Sequence, residues 1–243
     1  MTRTLRRRRI AEDNSEMDDA RLDRPDRLTI AIDGPSGAGK GTVARAVAAR
    51  LGYRHIDTGA MYRAVAWKAR QEGIDLADEP RVAAVAERAV FDLGSGRVVI
   101  DGHDVAAAIR TPEIDRAATT VARHPAVRRV LVARQHALGE GGGVVMEGRD
   151  IGTVVFPDAD VKIYLDASPE ERARRRASDP AHTSSKSAQL SDVATALAER
   201  DRNDSTRAAS PLAIAPDATV VDTTGVPIDV VIEDVLALIR SVR

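Results

Sequence analysis

Short apolar runs alternate along this chain with stretches in which apolar residues recur at helical spacing. The run from Leu28 to Ile32 ends at a glycine loop, and Val43, Val47 and Leu51 then follow at every fourth position, which is the spacing of one buried helix face. Short apolar strands that alternate with helices predict a parallel sheet covered by helices on both faces. The other apolar runs are Arg54 to Ile56, Val144 to Met146, Val161 to Leu165 and Thr219 to Val221.

Two further helices are predicted towards the C-terminus. Ser168 is a suitable helix cap, Pro169 favours the first helical position, and Glu171 lies where a capping box has its acid. Arg172 and Arg174 of this helix are expected on its solvated face. The last helix pattern is amphipathic and predicts packing against the sheet. Its apolar positions are Ile228, Val231, Ile232, Val235, Leu238, Ile239 and Val242.

Two stretches interrupt the alternation. Between Val90 and Ile109, a Gly94-Ser95-Gly96 turn separates two short apolar segments, which predicts a small antiparallel insertion at about 90–109. From Ser178 to Ser187 the chain is polar, and we expect this segment to be mobile.

The length of 243 residues is sufficient for one domain with a full hydrophobic core. The first 27 residues carry the basic run Arg6 to Arg9, followed by acidic residues, and lack the apolar core of a signal peptide. We therefore expect a disordered tail over 1–27 and one domain over 28–243.

Charge and cysteine content narrow the possible partners. The 36 basic and 37 acidic side chains almost cancel, so no overall field draws the protein to nucleic acid or to an anionic membrane. No apolar run approaches the ~20 residues that span a bilayer. The sequence has no cysteine, which suits a reducing compartment such as the cytoplasm. Neither nucleic acid nor a membrane is an expected partner, and any anion site must be local.

The segment Gly34 to Lys40 fits the first seven positions of the phosphate-loop pattern G-x-x-x-x-G-K. In such loops, backbone N–H groups converge on phosphate oxygens, the following helix adds its dipole, and the lysine reaches the outer phosphates. The eighth position departs from the pattern, because Gly41 replaces the usual Ser or Thr and the hydroxyl follows at Thr42. The loop predicts nucleotide binding, which switches, motors and kinases share.

Three runs together closely resemble bacterial cytidylate kinase: Gly34 to Thr42, Asp57 to Arg63, and Glu147 to Asp158. The resemblance extends from about Leu28 to the C-terminus, and the third run is its most specific part. It implies an α/β fold of the three-layer P-loop type, with a five-stranded parallel sheet, a monophosphate-binding region that holds the small antiparallel insertion, and a mobile lid at about 172–190. Nucleoside monophosphate kinases commonly have Gly-Lys-Gly-Thr in the loop, which accounts for Gly41.

The resemblance also implies an activity and a set of site residues. The reaction is transfer of the γ-phosphoryl group of ATP to CMP, and to dCMP, which gives CDP or dCDP and ADP in pyrimidine metabolism. The ATP site is the glycine loop: Gly34, Pro35, Ser36, Gly37, Ala38, Gly39, Lys40, Gly41 and Thr42. The acceptor site has Thr58, Arg63 and Arg207 at the phosphate, Thr119, Arg128 and Asp150 at the cytosine, and Arg200 and Asp204 at the ribose. The family often has Ser where this chain has Thr58 and Thr119.

Elementary chemistry agrees with these roles. A carboxylate at Asp150 accepts a hydrogen bond from the cytosine amino group, and it repels the carbonyl that uracil has there. The acceptor phosphate is already an oxyanion near neutral pH, so no catalytic base is needed. Lys40, Arg149 and Arg175 are expected to stabilise the transferring group.

A metal is expected only with the nucleotide. Mg²⁺ should arrive with ATP and lie near Thr42 or Asp33, without a dedicated protein site. The five histidines show no metal-ligand spacing. The lid is expected to close over ATP and to exclude water, which would otherwise accept the phosphoryl group.

Two other classes of protein share the glycine loop. A kinase for another small acceptor, such as shikimate or uridylate, would lack the run from Glu147 to Asp158. A nucleic-acid-coupled ATPase or a nucleotide switch could use Arg6 to Arg9 as its contact, but six aromatic residues are too few for a base-stacking platform. We therefore expect a monomeric kinase.

Overall fold

The computed structural model describes residues 27–94, 96–179 and 189–242. The strands are β1 (Thr29–Asp33), β2 (Arg54–Asp57), β3 (Phe91–Gly94), β4 (Arg97–Ile100), β5 (His103–Asp104), β6 (Val144–Glu147), β7 (Val161–Asp166) and β8 (Thr219–Asp222). The helices are α1 (Lys40–Leu51), α2 (Thr58–Gln71), α3 (Glu79–Arg88), α4 (Pro112–Val121), α5 (Pro125–Gly139), α6 (Pro169–Ala177), α7 (Leu190–Thr206) and α8 (Ile228–Arg240). One π-helical turn, Ile151–Val155, lies between β6 and β7.

The five-stranded parallel sheet predicted from the apolar runs is confirmed. Its order is β2-β6-β1-β7-β8, and Ile30 at its centre pairs with Val145 on one side and Val161 on the other. Each of these strands extends one residue beyond its apolar run and ends at an acidic residue. These acids are Asp33, Asp57, Glu147, Asp166 and Asp222.

Helices cover both faces of this sheet, as predicted for a three-layer fold. On one face, α1 and α8 bury Val43, Val47, Val235 and Ile239 against β1 and β7. On the other face, α5 and the π-helical turn pack on β2 and β6. The helix α2 forms a second apolar cluster with α3, α4 and α5 beside this layer.

The two C-terminal helix predictions need small corrections. Ser168 Oγ accepts a hydrogen bond from the Glu171 N–H at 3.2 Å, as predicted. The reciprocal half of the capping box is absent, because the Ser168 N–H donates to Thr224 Oγ1 at 2.8 Å and the Glu171 carboxylate accepts from arginines of the same helix. The last helix ends at Arg240, so Val242 lies beyond it and is exposed.

The predicted antiparallel insertion is confirmed as a sheet of order β3-β4-β5. Phe91 pairs with Ile100, and β5 adds two residues that the apolar pattern did not indicate. Ser95 of the predicted turn, the predicted tail over 1–26, and residues 180–188 of the predicted lid lie outside the described residues. Within the part of the chain that is described, no helix combines the length and apolar character needed to cross a membrane.

Candidate active site

The carboxyl ends of the central strands meet at one edge of the sheet, where a cavity of about 790 Å³ opens. This is the edge at which open parallel sheets bind ligands. The cavity is lined by the glycine loop after β1, by the start of α2 after β2, and by the segment after β6. Residues of α4, α5, α6 and α7 complete its wall.

The glycine loop can adopt its shape only because several of its positions lack a side chain. Gly34, Gly37 and Gly39 have φ angles of 144°, 82° and 90°, which favour glycine. A Cβ on Gly37 would also lie 2.9 Å from the carbonyl oxygen of Arg172. The loop then leads into α1, which has no acidic residue of its own in its first turn, so the positive end of the helix dipole is directed at the cavity.

Lys40, the first residue of α1, is buried with 7% of its surface exposed. Its Nζ donates a hydrogen bond to the Pro35 carbonyl at 2.7 Å, which holds the ammonium group against the loop. Burial, together with the positive charge of Arg149, lowers the pKa of Lys40 to about 7. Lys40 is thus a desolvated cation that a phosphate group would stabilise in its charged form.

The buried carboxylate of Glu147 lies beneath the start of α1. Its Oε1 is 2.9 Å from His55 Nε2 on β2, and a Cβ added to Gly41 would lie 3.3 Å from the same oxygen. That distance is tight for a Cβ, so Glu147 gives a physical reason for glycine at the position where the general loop pattern has Ser or Thr.

A second cluster of polar side chains lies where β2 meets α2. Asp57 caps α2 by accepting the Ala60 N–H at 2.9 Å, and it also accepts from Arg63 Nη2 at 2.9 Å. The buried hydroxyl of Thr58 donates to the Glu147 carbonyl at 2.7 Å. Burial would raise the pKa of Asp57, but Arg63 and the capping N–H outweigh it and lower that pKa. Asp57 therefore holds Arg63 as a charged pair beside the cavity.

Asp150 lies between two buried arginines in the wall of the cavity. One of its oxygens accepts a short hydrogen bond from Arg128 Nη2, and the other is 3.4 Å from Arg207 Nη2. The Arg128 guanidinium also lies over the Tyr62 ring, 5.4 Å from its centroid. This packing fixes the direction of the Arg128 side chain. The planar guanidinium group of Arg128, a donor, and the carboxylate of Asp150 therefore line the cavity side by side.

A third pairing joins the segment after β6 to α7. Arg149 Nε donates to Asp204 Oδ2 at 2.9 Å, and Arg207 Nη1 lies 3.7 Å from the other oxygen. Burial would raise the pKa of Asp204, but Arg149, Arg200 and Arg207 together lower it. Burial would lower the pKa of Arg149, but Asp204 and the other acids nearby together outweigh burial and raise that pKa. Both groups stay ionised.

The arginines of α6 differ in their surroundings. The expectation that Arg172 is solvated is wrong, because its Nη1 donates to the Ser36 carbonyl at 3.1 Å and its side chain is buried under the glycine loop. Arg174 is exposed, as expected, and pairs with Glu171. Arg175 donates to the carbonyl and hydroxyl oxygens of Thr223 at 2.6 and 2.8 Å.

Comparison with known proteins settles the family. The family model described as cytidylate kinase matches residues 30–241. This chain belongs to the cytidylate kinase family. A curated cytidylate kinase from Solibacter usitatus is 51% identical over 221 residues, covering 88% of this chain and 93% of the relative. Another from Pelotomaculum thermopropionicum is 51% identical over 219 residues, covering 88% and 96%.

Solved structures add little to this assignment. A shikimate kinase from Acinetobacter baumannii in complex with shikimate covers 89% of this chain and 94% of its own, at 16% identity and a TM-score of 0.47. So weak a similarity supports no conclusion about this kinase. Its three-layer fold follows from its own sheet order and helix packing.

The structure brings almost all of the predicted site residues of the kinase together around one cavity. Those that line it are Ser36, Gly37, Ala38, Gly39, Lys40, Gly41, Thr42, Thr58, Arg63, Thr119, Arg128, Arg149, Asp150, Arg175, Arg200, Asp204 and Arg207. Gly34 and Pro35 precede these residues and do not line the cavity. The glycine loop and the eight predicted acceptor residues therefore share one space.

Thr42 and Asp33 are the two residues that the sequence predicts near a magnesium ion bound to the nucleotide. Among the described residues, no group of three or more His, Cys, Asp and Glu side chains could hold a metal. Thr42 is exposed on α1 and lines the cavity. Asp33 is buried, and its two oxygens accept the N–H groups of Ile151 and Gly152 at 2.9 and 2.7 Å. These two hydrogen bonds anchor the π-helical turn on Asp33, which does not line the cavity. Burial raises the pKa of Asp33 to about 6.

Several residues of the cavity were not assigned a role from the sequence. Asp57, Tyr62 and Glu147 line it and lie inside the quoted runs, so their position in those runs was the available signal. Arg176 lies in the arginine run of α6 and also lines the cavity. Arg110 lines it too, and no sequence pattern pointed to that residue.

Proposed function

We infer that this kinase transfers the γ-phosphoryl group of ATP to CMP, and also to dCMP, giving CDP or dCDP and ADP. One observation carries the inference: a phosphate-binding loop and a buried Asp150, held between Arg128 and Arg207, belong to the same cavity. The first feature suits a nucleoside triphosphate, and the second suits a base that offers an amino group next to an acceptor. Family membership supports the same reaction.

The donor site is the glycine loop with the start of α1. Backbone N–H groups between Gly37 and Lys40 and the helix dipole would bind the phosphates, and the Lys40 side chain would reach the outer ones. Mg²⁺ bound to ATP supplies charge neutralisation at the β- and γ-phosphates. Thr42 is the residue that we expect to lie beside it.

The acceptor site uses the paired arginines. Thr58, Arg63 and Arg207 bind the phosphate of CMP, since guanidinium groups grip phosphate through parallel N–H donors. The cytosine is bound by residues of three elements: Thr119, Arg128 and Asp150. Arg200 and Asp204 bind the ribose. Because each of these arginines already has an acidic partner, the site is ordered before the substrate enters.

The chemical step requires approach and charge neutralisation rather than proton removal. The acceptor phosphate is an oxyanion, so the protein must bring two anionic groups into line and stabilise the charge that develops between them. Lys40, Arg149 and Arg175 are the cations that we assign to this task. Arg175 has its guanidinium anchored by Thr223, which gives it a fixed direction.

A coupled assay with ATP, Mg²⁺ and each of CMP, dCMP, UMP, AMP and GMP tests this function. We expect the highest catalytic efficiency with CMP and clear turnover with dCMP. Phosphate release of equal rate without any monophosphate would instead indicate an ATPase or a switch. A preference for UMP would identify a uridylate kinase.

We also propose that the protein acts as a monomer in the cytoplasm. The residues assigned to the site line one cavity within this chain. Light scattering after size-exclusion chromatography tests the monomer, and a dimer mass at micromolar concentration would contradict it.

The affinity for ATP should depend on pH through Lys40. With a pKa of about 7, Lys40 is charged at pH 6 and mostly neutral at pH 8. Bound phosphate raises that pKa, so binding takes up a proton above pH 7 and the affinity falls as the pH rises. We expect Kd for ATP, measured calorimetrically, to increase about fivefold from pH 7 to pH 8.

The matched control is Lys40→Met, which keeps a long unbranched side chain without a titratable group. Its affinity should be lower, and its Kd should be flat over the same pH range. A wild-type Kd that does not change between pH 6.5 and 8.5 would contradict the role of Lys40 in phosphate binding.

A further inference from the structure

Asp115 connects α4 to two other helices, α6 and α7, through ion pairs beside the cavity. It lies in the first turn of α4, with 12% of its side chain exposed. One oxygen accepts a short hydrogen bond from Arg176 Nη2 of α6, and the other lies 3.3 Å from Arg200 Nη1 of α7. A single carboxylate thus bridges two arginines that come from different helices, and both of these arginines line the cavity.

A groove lies between α4 and α7 beside these ion pairs. The groove has a volume of about 490 Å³ and is lined by residues of α4 and α7, with Arg176 of α6 at its edge. The apolar contacts of α7 with α6 are made by Ala173, Val193 and Leu197. The apolar side chains of α6 and α7 thus pack against each other, and the ion pairs of Asp115 join α4 to these two helices.

The two arginines are crowded by other cations. Burial lowers the pKa of Arg200, Arg149 and Arg63 lower it further, and Asp115 is the largest opposing influence. For Arg176, burial again comes first, the charges of Arg200 and Arg63 add to it, and Asp115 opposes them. Without Asp115, mutual repulsion would favour positions of Arg176 and Arg200 further from each other and from the cavity.

We propose that Asp115 is a positioning residue, which holds Arg176 and Arg200 at the cavity so that the monophosphate acceptor meets arginines that are already in place. This proposal rests on the proposed function, because it assigns Arg200 to the ribose of CMP. The helix α4 also carries Thr119, whose hydroxyl donates to the Asp115 carbonyl at 3.0 Å. One helical turn thereby sets the geometry of both a base contact and a ribose contact.

The expected kinetic effect is on KM rather than on kcat. In free protein that lacks the Asp115 charge, the substrate must draw the arginines back and order them, which reduces its affinity. Once both substrates are bound, their phosphates supply the negative charge that holds the arginines. For Asp115→Asn we expect KM for CMP to rise about tenfold, with kcat within about threefold of wild type.

The matched control is Glu113→Gln, which removes the same charge two residues away on α4. Glu113 is exposed and lies 4.0 Å from Arg116, outside the cavity. Its kinetic constants should equal those of wild type. Asp115→Glu, which restores the charge on a longer side chain, should recover at least part of the KM. An unchanged KM for CMP in Asp115→Asn would overturn the proposal. A lower KM would also overturn it, because it would mean that Asp115 competes with the substrate for the arginines.

A second measurement does not depend on the substrate. Arginine Nη–Hη NMR signals of Arg176 and Arg200, assigned with Arg176→Lys and Arg200→Lys, should exchange slowly with solvent in wild type and in Glu113→Gln, because the Nη atoms contact Asp115. They should be broadened or lost in Asp115→Asn. Unchanged signals would overturn the proposal even if the wild type proved inactive with CMP, whereas inactivity of the wild type alone would overturn only the proposed function.

Discussion

Lys40→Ala should reduce kcat for CMP phosphorylation by about 10²- to 10³-fold, the loss typical when one preorganised group that stabilises the transferring charge is removed. Lys40 is buried at the start of α1 and directed onto the glycine loop by the Pro35 carbonyl. No other side chain of the loop carries a positive charge, so the remaining cations would have to act from the other walls of the cavity.

The fold of this variant should be intact. Lys40 supplies a charge in a desolvated place rather than core volume, and burying that charge costs stability. The melting temperature should therefore be equal to or above that of wild type. Lys68→Ala is the matched control, because Lys68 pairs with Asp101 outside the cavity and its loss should leave kcat unchanged. Near-wild-type turnover by Lys40→Ala would contradict the assignment of the glycine loop to ATP.

Replacement of Asp150 should alter the choice of base. In Asp150→Asn the shape is kept, but the charge that receives the cytosine amino group is lost. A hydrogen bond to a charged partner is typically worth ~1.5–3 kcal/mol, so the catalytic efficiency for CMP should fall about tenfold to a hundredfold. UMP should lose less, since the variant no longer sets a carboxylate against its carbonyl. The ratio of the two efficiencies is the quantity to measure.

The structure indicates that replacing Asp150 also lowers the stability of the protein, which the sequence did not suggest. Asp150 is the partner of two buried cations, Arg128 and Arg207, and removal of one member of a buried ion pair typically costs about 3–5 kcal/mol. Asp150→Ala should therefore melt well below wild type, and Asp150→Asn should be less affected. Asp92→Asn is the control, because it removes an exposed pair with Arg97. If both efficiencies fall together at an unchanged ratio, Asp150 supports phosphate transfer, and another residue selects the base.

Local chemistry made much of this protein predictable. The glycine loop is a continuous segment with positive φ angles at several glycines and a helix start directly after it, so its shape could be predicted from its spacing. The strands were found for the same reason, because a buried parallel strand must be a short apolar run. Their last residues were missed, since hydrogen bonding in the sheet continues through an acid that the apolar pattern excludes.

The partner of each buried charge was decided only by the tertiary structure. Asp150 binds an arginine 22 positions away, Arg149 an aspartate 55 away, Asp115 an arginine 61 away, and Glu147 a histidine 92 away. Strand pairing and helix packing bring such positions together, and neither leaves a periodic mark on the sequence. The sequence therefore determined which groups could bind a nucleotide. The packing of the helices around the sheet determined which acid holds each arginine in place, because the pairing of charges depends on distance in space.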